Sequence, residues 1–182
     1  MNWSDQELID GCKHRSKKHE EFFFKKYYGY VMGISLSYSK SRDLALEITN
    51  DSFMKCFDSF KKMDQYPSLK PWLRRITVNT AIDYYRKDKR FQNHREADGD
   101  TPVYDEVYAP DQLAYKDILK LLHQLPEDQH LVFNLYEVEG YSHKEVADRL
   151  EITESSSRVY LMRAKSKMRE LIQQHMKEYA GR

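Results

Sequence analysis

The chain has 182 residues but only 6 glycines and 5 prolines. So few breakers leave long uninterrupted stretches. Alternation of apolar and polar residues at period two is weak, which argues against a sheet. There are 2 cysteines, Cys12 and Cys56, in no metal or redox motif, and they are read as reduced structural thiols. No apolar run approaches the roughly 20 residues that cross a bilayer. The opening stretch "MNWSDQELIDGCK" lacks a charged start followed by an apolar run, so it does not read as a signal peptide. A cytoplasmic protein with no direct membrane insertion is expected. His123, His130 and His143 fit no ligand spacing, and the carboxylate pairs look like helix-surface groups. No cofactor, metal or catalytic residue is expected, and the chain does not read as an enzyme.

Charge is plentiful but uneven. The formal net charge is +1. Residues 1–90 carry 18 Lys/Arg against 12 Asp/Glu, and residues 91–112 carry 1 against 6. Residues 113–182 carry 11 of each. A basic block, an acidic connector and a neutral block result.

Helical spacing dominates. Ser4 and Glu7 form a capping box at the start of a first helix. A second helix is expected over roughly 16–38, with Phe22, Phe23, Tyr27, Tyr30, Val31 and Ile34 available to a core. A third, over roughly 41–62, would bury Leu46, Thr49, Phe53, Phe57 and Phe60. Asp64 to Pro71 holds two prolines and is expected to be a loop, followed by a helix over roughly 70–90. The stretch "NHREADGDTPVYDEVYAPDQ" breaks every period and reads as a linker. Helices resume at about 112–123, with Leu113, Ile118, Leu121, Leu122 and Leu125 as apolar positions, and at about 126–138 behind Pro126. Two more are expected, at about 142–150 and 154–178.

The last of these segments has the layout of a helix-turn-helix. Ser142 and Glu145 form a second capping box, Val146 and Leu150 share a face, and Ala147 is small where a second helix must cross closely. Glu151–Thr153 is the turn, with Ile152 pointing inward. Leu161, Ala164, Met168 and Leu171 form the seam of the last helix. Between Ser155 and Arg169 there are five basic residues and no acidic one. Such a surface suits a helix entering a major groove. An amphipathic hairpin with a solvated basic face would read similarly. Carrying the seam back one turn lands on Ser157, whose hydroxyl would then bond back to a helix carbonyl.

The segment "WLRRITVNTAIDYYRKDKR" combines aromatic and cationic groups. Trp72, Arg75, Asn79, Ile82, Arg86 and Arg90 recur at helical steps and share one stripe. Leu73, Ile76, Thr80 and Tyr84 form another, expected to be core. An indole, an amide and three guanidiniums suit nucleic acid: cations track phosphates and a flat ring stacks on an unpaired base. On this reading Trp72 is solvent-facing. The competing reading makes it a core residue among solubilising arginines.

At this point a resemblance becomes specific. "LKPWLRRITVNTAIDYYRK" looks like the promoter-melting signature of bacterial RNA polymerase sigma factors of the extracytoplasmic-function group. "LEITNDSFMKCF" is similar to that family's polymerase-binding helix, with Asn50 and Asp51 where the family has glutamine and glutamate. "LLHQLPEDQHLVFNLYEVEGYSHKEVADRLEITESSSRVYLMRAKSKM" resembles its sigma-four domain. The chain departs from the family pattern at Glu151, usually glycine, at Ser155–Ser157, usually Gly-Thr-Val, and at Tyr160, usually arginine.

The resemblance implies an all-α chain of two helical domains joined by an acidic flexible linker. These are a sigma-two bundle at 1–91, a linker at 92–111, and a sigma-four helix-turn-helix at 112–182. It implies an initiation factor that binds core RNA polymerase and promoter DNA. It also raises an anti-sigma protein, membrane-bound or soluble, as a candidate partner. Polymerase would meet Glu47, Asn50, Asp51 and Met54, which with Asp58 lie opposite the aromatic stripe. The minus-ten element would be read and melted by Tyr66, Ser68, Trp72, Arg75, Asn79 and Arg86, with the loop from Met63 to Leu69 capturing a flipped base. The minus-thirty-five element would meet Ser155, Ser156, Arg158, Tyr160, Arg163 and Lys167. The acidic linker would lie in a channel built for nucleic acid or act as a tether. A helix-turn-helix regulator that is not a sigma subunit is the alternative, but it leaves residues 41–90 unexplained.

Overall fold

The computed structural model describes residues 3–61, 68–92 and 113–180. The chain divides into two compact units between Val103 and Tyr104. That point falls within 93–112, outside the described residues, as does the expected acidic linker except for Gln92, which is the last residue of a helix and not linker. All regular structure among the described residues is helical.

The first unit has four helices: α1 (Asp5–Lys13), α2 (Lys17–Tyr38), α3 (Arg42–Phe60) and α4 (Leu69–Gln92). The capping box forms as read: the Ser4 hydroxyl accepts from the Glu7 N–H, and the Glu7 carboxylate accepts from the Ser4 N–H at 2.8 Å. The Asp5 carboxylate then receives the Lys26 ammonium and the Tyr27 hydroxyl, each at 2.7 Å, which ties α1 to α2. Gly11 is required by packing, because a Cβ there would sit 2.1 Å from the His19 ring. The core gathers Leu8, Phe23, Val31, Phe53, Phe60, Leu69 and Leu73. Phe23 lies at its centre, with ring centroids 4.9 Å from Tyr27 and 5.1 Å from Phe60. Cys12 and Cys56 are free and buried in the same core, and burial pushes both thiols up to about 12. Both are therefore protonated and serve as packing groups.

The helices follow the expected pattern closely, with corrections at α4. Pro71 is not in a loop. It lies in the first turn of α4, where a missing N–H costs nothing. The buried face is also wider than Leu73, Ile76, Thr80 and Tyr84: Ile76 and Tyr84 are half-buried, and Thr77, Val78, Ala81, Ile82 and Tyr85 are buried instead. Ile82 therefore leaves the solvent stripe. α4 packs on both α2 and α3, and two neighbours need more than one row of side chains. On α3, Thr49, Phe53 and Phe60 are buried, while Leu46 and Phe57 are half-buried.

The second unit contains α5 (Leu113–Leu122), α6 (Glu127–Phe133), a π-helical turn (Asn134–Val138), α7 (His143–Leu150) and α8 (Glu154–Ala180). The single helix expected at 126–138 is thus an α-helix that widens into a π turn. α5, α6 and α7 all pack on α8. Leu121, Leu122 and Leu125 meet Ala164, Met168 and Leu171 in its core, whereas Ile118 is exposed at 52%.

Between α7 and α8 Glu151 takes left-handed backbone angles, φ 54° and ψ 44°. Its N–H and that of Ile152 both reach the Ala147 carbonyl and so close α7. Ile152 is half-buried. A side chain at such a φ costs about 1–2 kcal/mol. Part of the relief from glycine is lost to its greater freedom when unfolded. Glu151→Gly is therefore expected to raise stability by about 1 kcal/mol, read as a Tm a few degrees higher. A Tm unchanged or lowered would show that the Glu151 side chain offsets the backbone cost.

Candidate nucleic-acid and partner interface

α3 presents two opposite faces. The aromatic face enters the core, and Glu47, Asn50, Asp51, Met54 and Asp58 all stand exposed on the other. Met54 is 58% exposed amid these polar groups, an apolar contact point in an acidic field. α4 fixes part of this face. The Tyr84 hydroxyl donates to the Asp51 carboxylate at 2.7 Å, and Lys55 pairs with Asp83 at 2.8 Å. Desolvation and the Asp51 charge push the Tyr84 hydroxyl up to about 12, so it remains a donor. Sequence reasoning missed Tyr84 as a positioning group, because a pairing across 33 positions leaves no local pattern.

On α4, Arg75 and Asn79 are exposed as expected. Arg86 is half-buried and lines an open depression with Asp83, Lys87 and Arg90. Trp72 corrects the sequence reading. It is half-buried, packs against the first unit's core, and stacks on Phe60 with centroids 5.1 Å apart and planes 29° apart. The helix enters at Leu69, which is itself core, so the next turn lies close to the end of α3. One face of the indole is thus committed to packing. Ser68 is exposed, and Tyr66 lies outside the described residues with the rest of the expected base-capturing loop up to residue 67.

In the second unit α8 begins behind Thr153, whose hydroxyl accepts from the Ser156 N–H at 3.0 Å. The Ser155 and Ser156 hydroxyls lie 2.9 and 2.8 Å from the same oxygen. Ser155, Arg158, Arg163 and Lys167 are exposed, and Ser156 and Tyr160 are half-buried. Several cations have partners: Arg158 pairs with Glu154, Lys165 with Glu137 at 2.6 Å, and Lys167 with Glu170 at 3.6 Å. The spacing of Glu154 and Arg158, one turn apart, was visible in the sequence.

Ser157 is fully buried, as the seam implied, but its hydroxyl does not return to its own helix. It meets His143 Nδ1 at 3.0 Å. His143 in turn stacks on Tyr136 of the π turn, with centroids 4.4 Å apart. The π turn supplies both Tyr136, against α7, and Glu137, against α8, so it holds the two helices of the motif together.

Residues 23–91 match the family model "Sigma-70 region 2", and residues 115–168 match "Sigma-70, region 4". The chain is 26% identical to the ECF RNA polymerase sigma-E factor of Haemophilus influenzae, over 93% of this chain and 96% of that one. It is 25% identical to the ECF RNA polymerase sigma factor SigM of Bacillus subtilis, over 81% and 91%. Its fold is similar to the sigma factor RpoE of Bartonella quintana, solved in complex with the anti-sigma factor NepR (TM-score 0.56, 21% identity, 84% of this chain and 96% of that one). The chain belongs to the extracytoplasmic-function group of sigma-70 factors, the initiation subunits of bacterial transcription. Among the described residues no helix is long and apolar enough to cross a membrane.

His143 carries a measurable consequence. Desolvation, then the nearby Arg158, hold its pKa below the ordinary histidine value; Glu154 opposes them, and Lys165 adds a smaller lowering. The folded state therefore binds this proton less readily than the unfolded chain. Stability from the neutral ring is complete above the unfolded pKa and is lost as pH falls through the window below it. His143→Phe keeps a ring against Tyr136 and removes the titration. Its melting temperature is expected to fall less than wild type between about pH 7.5 and 5. Parallel pH profiles would show that His143 contributes nothing to the loss.

Proposed function

We propose that this sigma factor binds core RNA polymerase through the exposed face of α3, melts and reads the minus-ten element with α4, and sets α8 into the minus-thirty-five element. The carrying observation is the two-sidedness of α3. Its inner face packs into the core, and Glu47, Asn50, Asp51 and Met54 form an outer face that suits a basic, partly apolar partner surface. Beside it, Arg75 and Asn79 on α4 are exposed to meet a strand, and Arg86 adds charge from a shallower position. We read 1–91 as the sigma-two-like domain, 92–111 as the linker and 112–182 as the sigma-four-like domain, a division supported by the matches over residues 23–91 and 115–168. A regulator using the helix-turn-helix alone leaves the region 2 match unexplained.

Polymerase and promoter place the protein in the cytoplasm, where it performs no bond-making chemistry itself. An anti-sigma protein, membrane-bound or soluble, is a further partner, supported by the anti-sigma factor solved with the Bartonella relative.

Run-off transcription with core polymerase tests the assignment. Asp51→Arg is expected to lower core affinity in a pull-down while circular dichroism stays normal, because the residue is exposed and loses only one surface hydrogen bond, from Tyr84, with the packed cores of α3 and α4 unchanged. Trp72→Ala is expected to cost about 1–3 kcal/mol of stability, less than a fully buried tryptophan, because only part of the indole is packed. Below its melting temperature it should still impair initiation on duplex DNA, and a pre-melted bubble template should restore much of the activity. The free part of the ring can supply about 1–3 kcal/mol of stacking on an unpaired base. Equal failure on both templates would make Trp72 structural or part of the polymerase contact, and not a melting residue.

A further inference from the structure

The outer pole of α8 is not simply basic. Ser155, Val159, Met162 and Ser166 follow one another at steps of four, three and four, so they share one stripe. It lies opposite the buried stripe of Ser157, Leu161, Ala164, Met168 and Leu171. All four outer residues are exposed, Val159 at 39% and Met162 at 65%. Arg158 and Arg163 flank the stripe, one on each side. A solubilising face would place polar groups at its pole. Here two apolar side chains hold the pole, hydroxyls precede and follow them, and guanidiniums border them.

Resting on the proposed groove docking of α8, we infer that Val159 and Met162 read thymine C5-methyl groups in the upstream promoter element. The major-groove edge of an A·T pair is distinguished by that methyl, which apolar side chains contact. Guanidiniums on either side suit the phosphates or the guanine edges bordering the same site. The seven helical steps from Ser155 to Met162 rise about 10 Å, which spans about three base pairs. Met162 is unbranched and flexible, so it can settle against a methyl without a preformed pocket. A protein partner is the weaker occupant: two apolar side chains between arginines make too small a patch, and no acidic residue lies between Ser155 and Arg169. The upstream element is therefore expected to contain thymines, on either strand, between flanking positions read or held by Arg158 and Arg163.

The test uses holoenzyme assembled from core polymerase and the full chain. Duplexes randomised over the upstream element are selected for binding, and the enriched duplex is remade with each thymine replaced in turn by uracil, which lacks only the methyl. One or two replacements are expected to weaken binding by about fourfold each, the effect of one buried methyl-sized group. Met162→Ser or Val159→Ser should weaken binding to the thymine duplex similarly and become indifferent to the corresponding uracil. Both positions are exposed, and circular dichroism checks that the variants fold. Clear enrichment with no sensitivity to uracil overturns the methyl reading and leaves groove docking intact. The same holds if the serine variants keep wild-type sensitivity to uracil, or lose only a protein contact with their affinity for DNA unchanged. Failure to enrich any upstream sequence overturns groove docking and the methyl reading together.

Discussion

Phe23 is the constraint on which the first unit depends. Its ring touches Tyr27 on its own helix and Phe53, Phe57 and Phe60 on α3. Those contacts set the rotation of α3, and that rotation alone turns Glu47, Asn50, Asp51 and Met54 outward. Phe60 then passes the constraint on by stacking with Trp72, which fixes where α4 begins. Farther along, Asp51–Tyr84 and Lys55–Asp83 hold α4 beside α3. The proposed polymerase face and the proposed melting face thus share one aromatic cluster. A loss at Phe23, about 3–5 kcal/mol for truncation to alanine, would reach both functions at once.

Small hydroxyls let these helices approach closely. Ser35, Ser52, Thr77 and Thr80 are buried, and each returns its hydrogen bond to a carbonyl one turn earlier on its own helix. Thr49 on α3 instead donates to the Ser35 oxygen at 2.9 Å and links two helices. A back-bonded hydroxyl satisfies itself and asks nothing of its neighbour. Ser157 breaks that habit. Its partner is a histidine on the other helix of the motif, so the fit of α8 against α7 depends on a titratable ring. At Ser52, Thr77 and Thr80 a methyl-bearing residue could replace the hydroxyl at small cost, but at Ser157 it would leave His143 facing an apolar wall.

Much of this was legible in the sequence because it is local. Helix extents came from the scarcity of glycine and proline, both capping boxes from their spacing, and the α8 seam from its period. Glu151 was readable as a strained turn because the resemblance placed glycine there. What was not legible depended on neighbours. The α4 wheel gave two credible stripes and no way to know that α4 packs on two helices, so Ile82 was assigned outward and Val78, Ala81 and Tyr85 were passed over. Trp72 looked solvent-facing because its stripe-mates are charged. Its stacking partner is Phe60, across a segment whose path the sequence does not reveal. Ser157 was correctly placed inside, but a preference for local back-bonding hid the longer reach to His143.

The cations of α8 complete the physical account. Arg158, Lys165 and Lys167 each have an acidic partner on the protein surface. Exposed pairs of this kind contribute only about 0–1 kcal/mol. Exchanging a carboxylate for a phosphate therefore costs little, while counterions released from the duplex supply the gain. The acidic partners still have an effect. They lower the field that the free chain presents to arbitrary DNA, and a formal net charge of +1 lowers it further. On the proposed reading the chain would gain purchase on DNA once polymerase holds it there, so attachment through α3 would precede reading through α8.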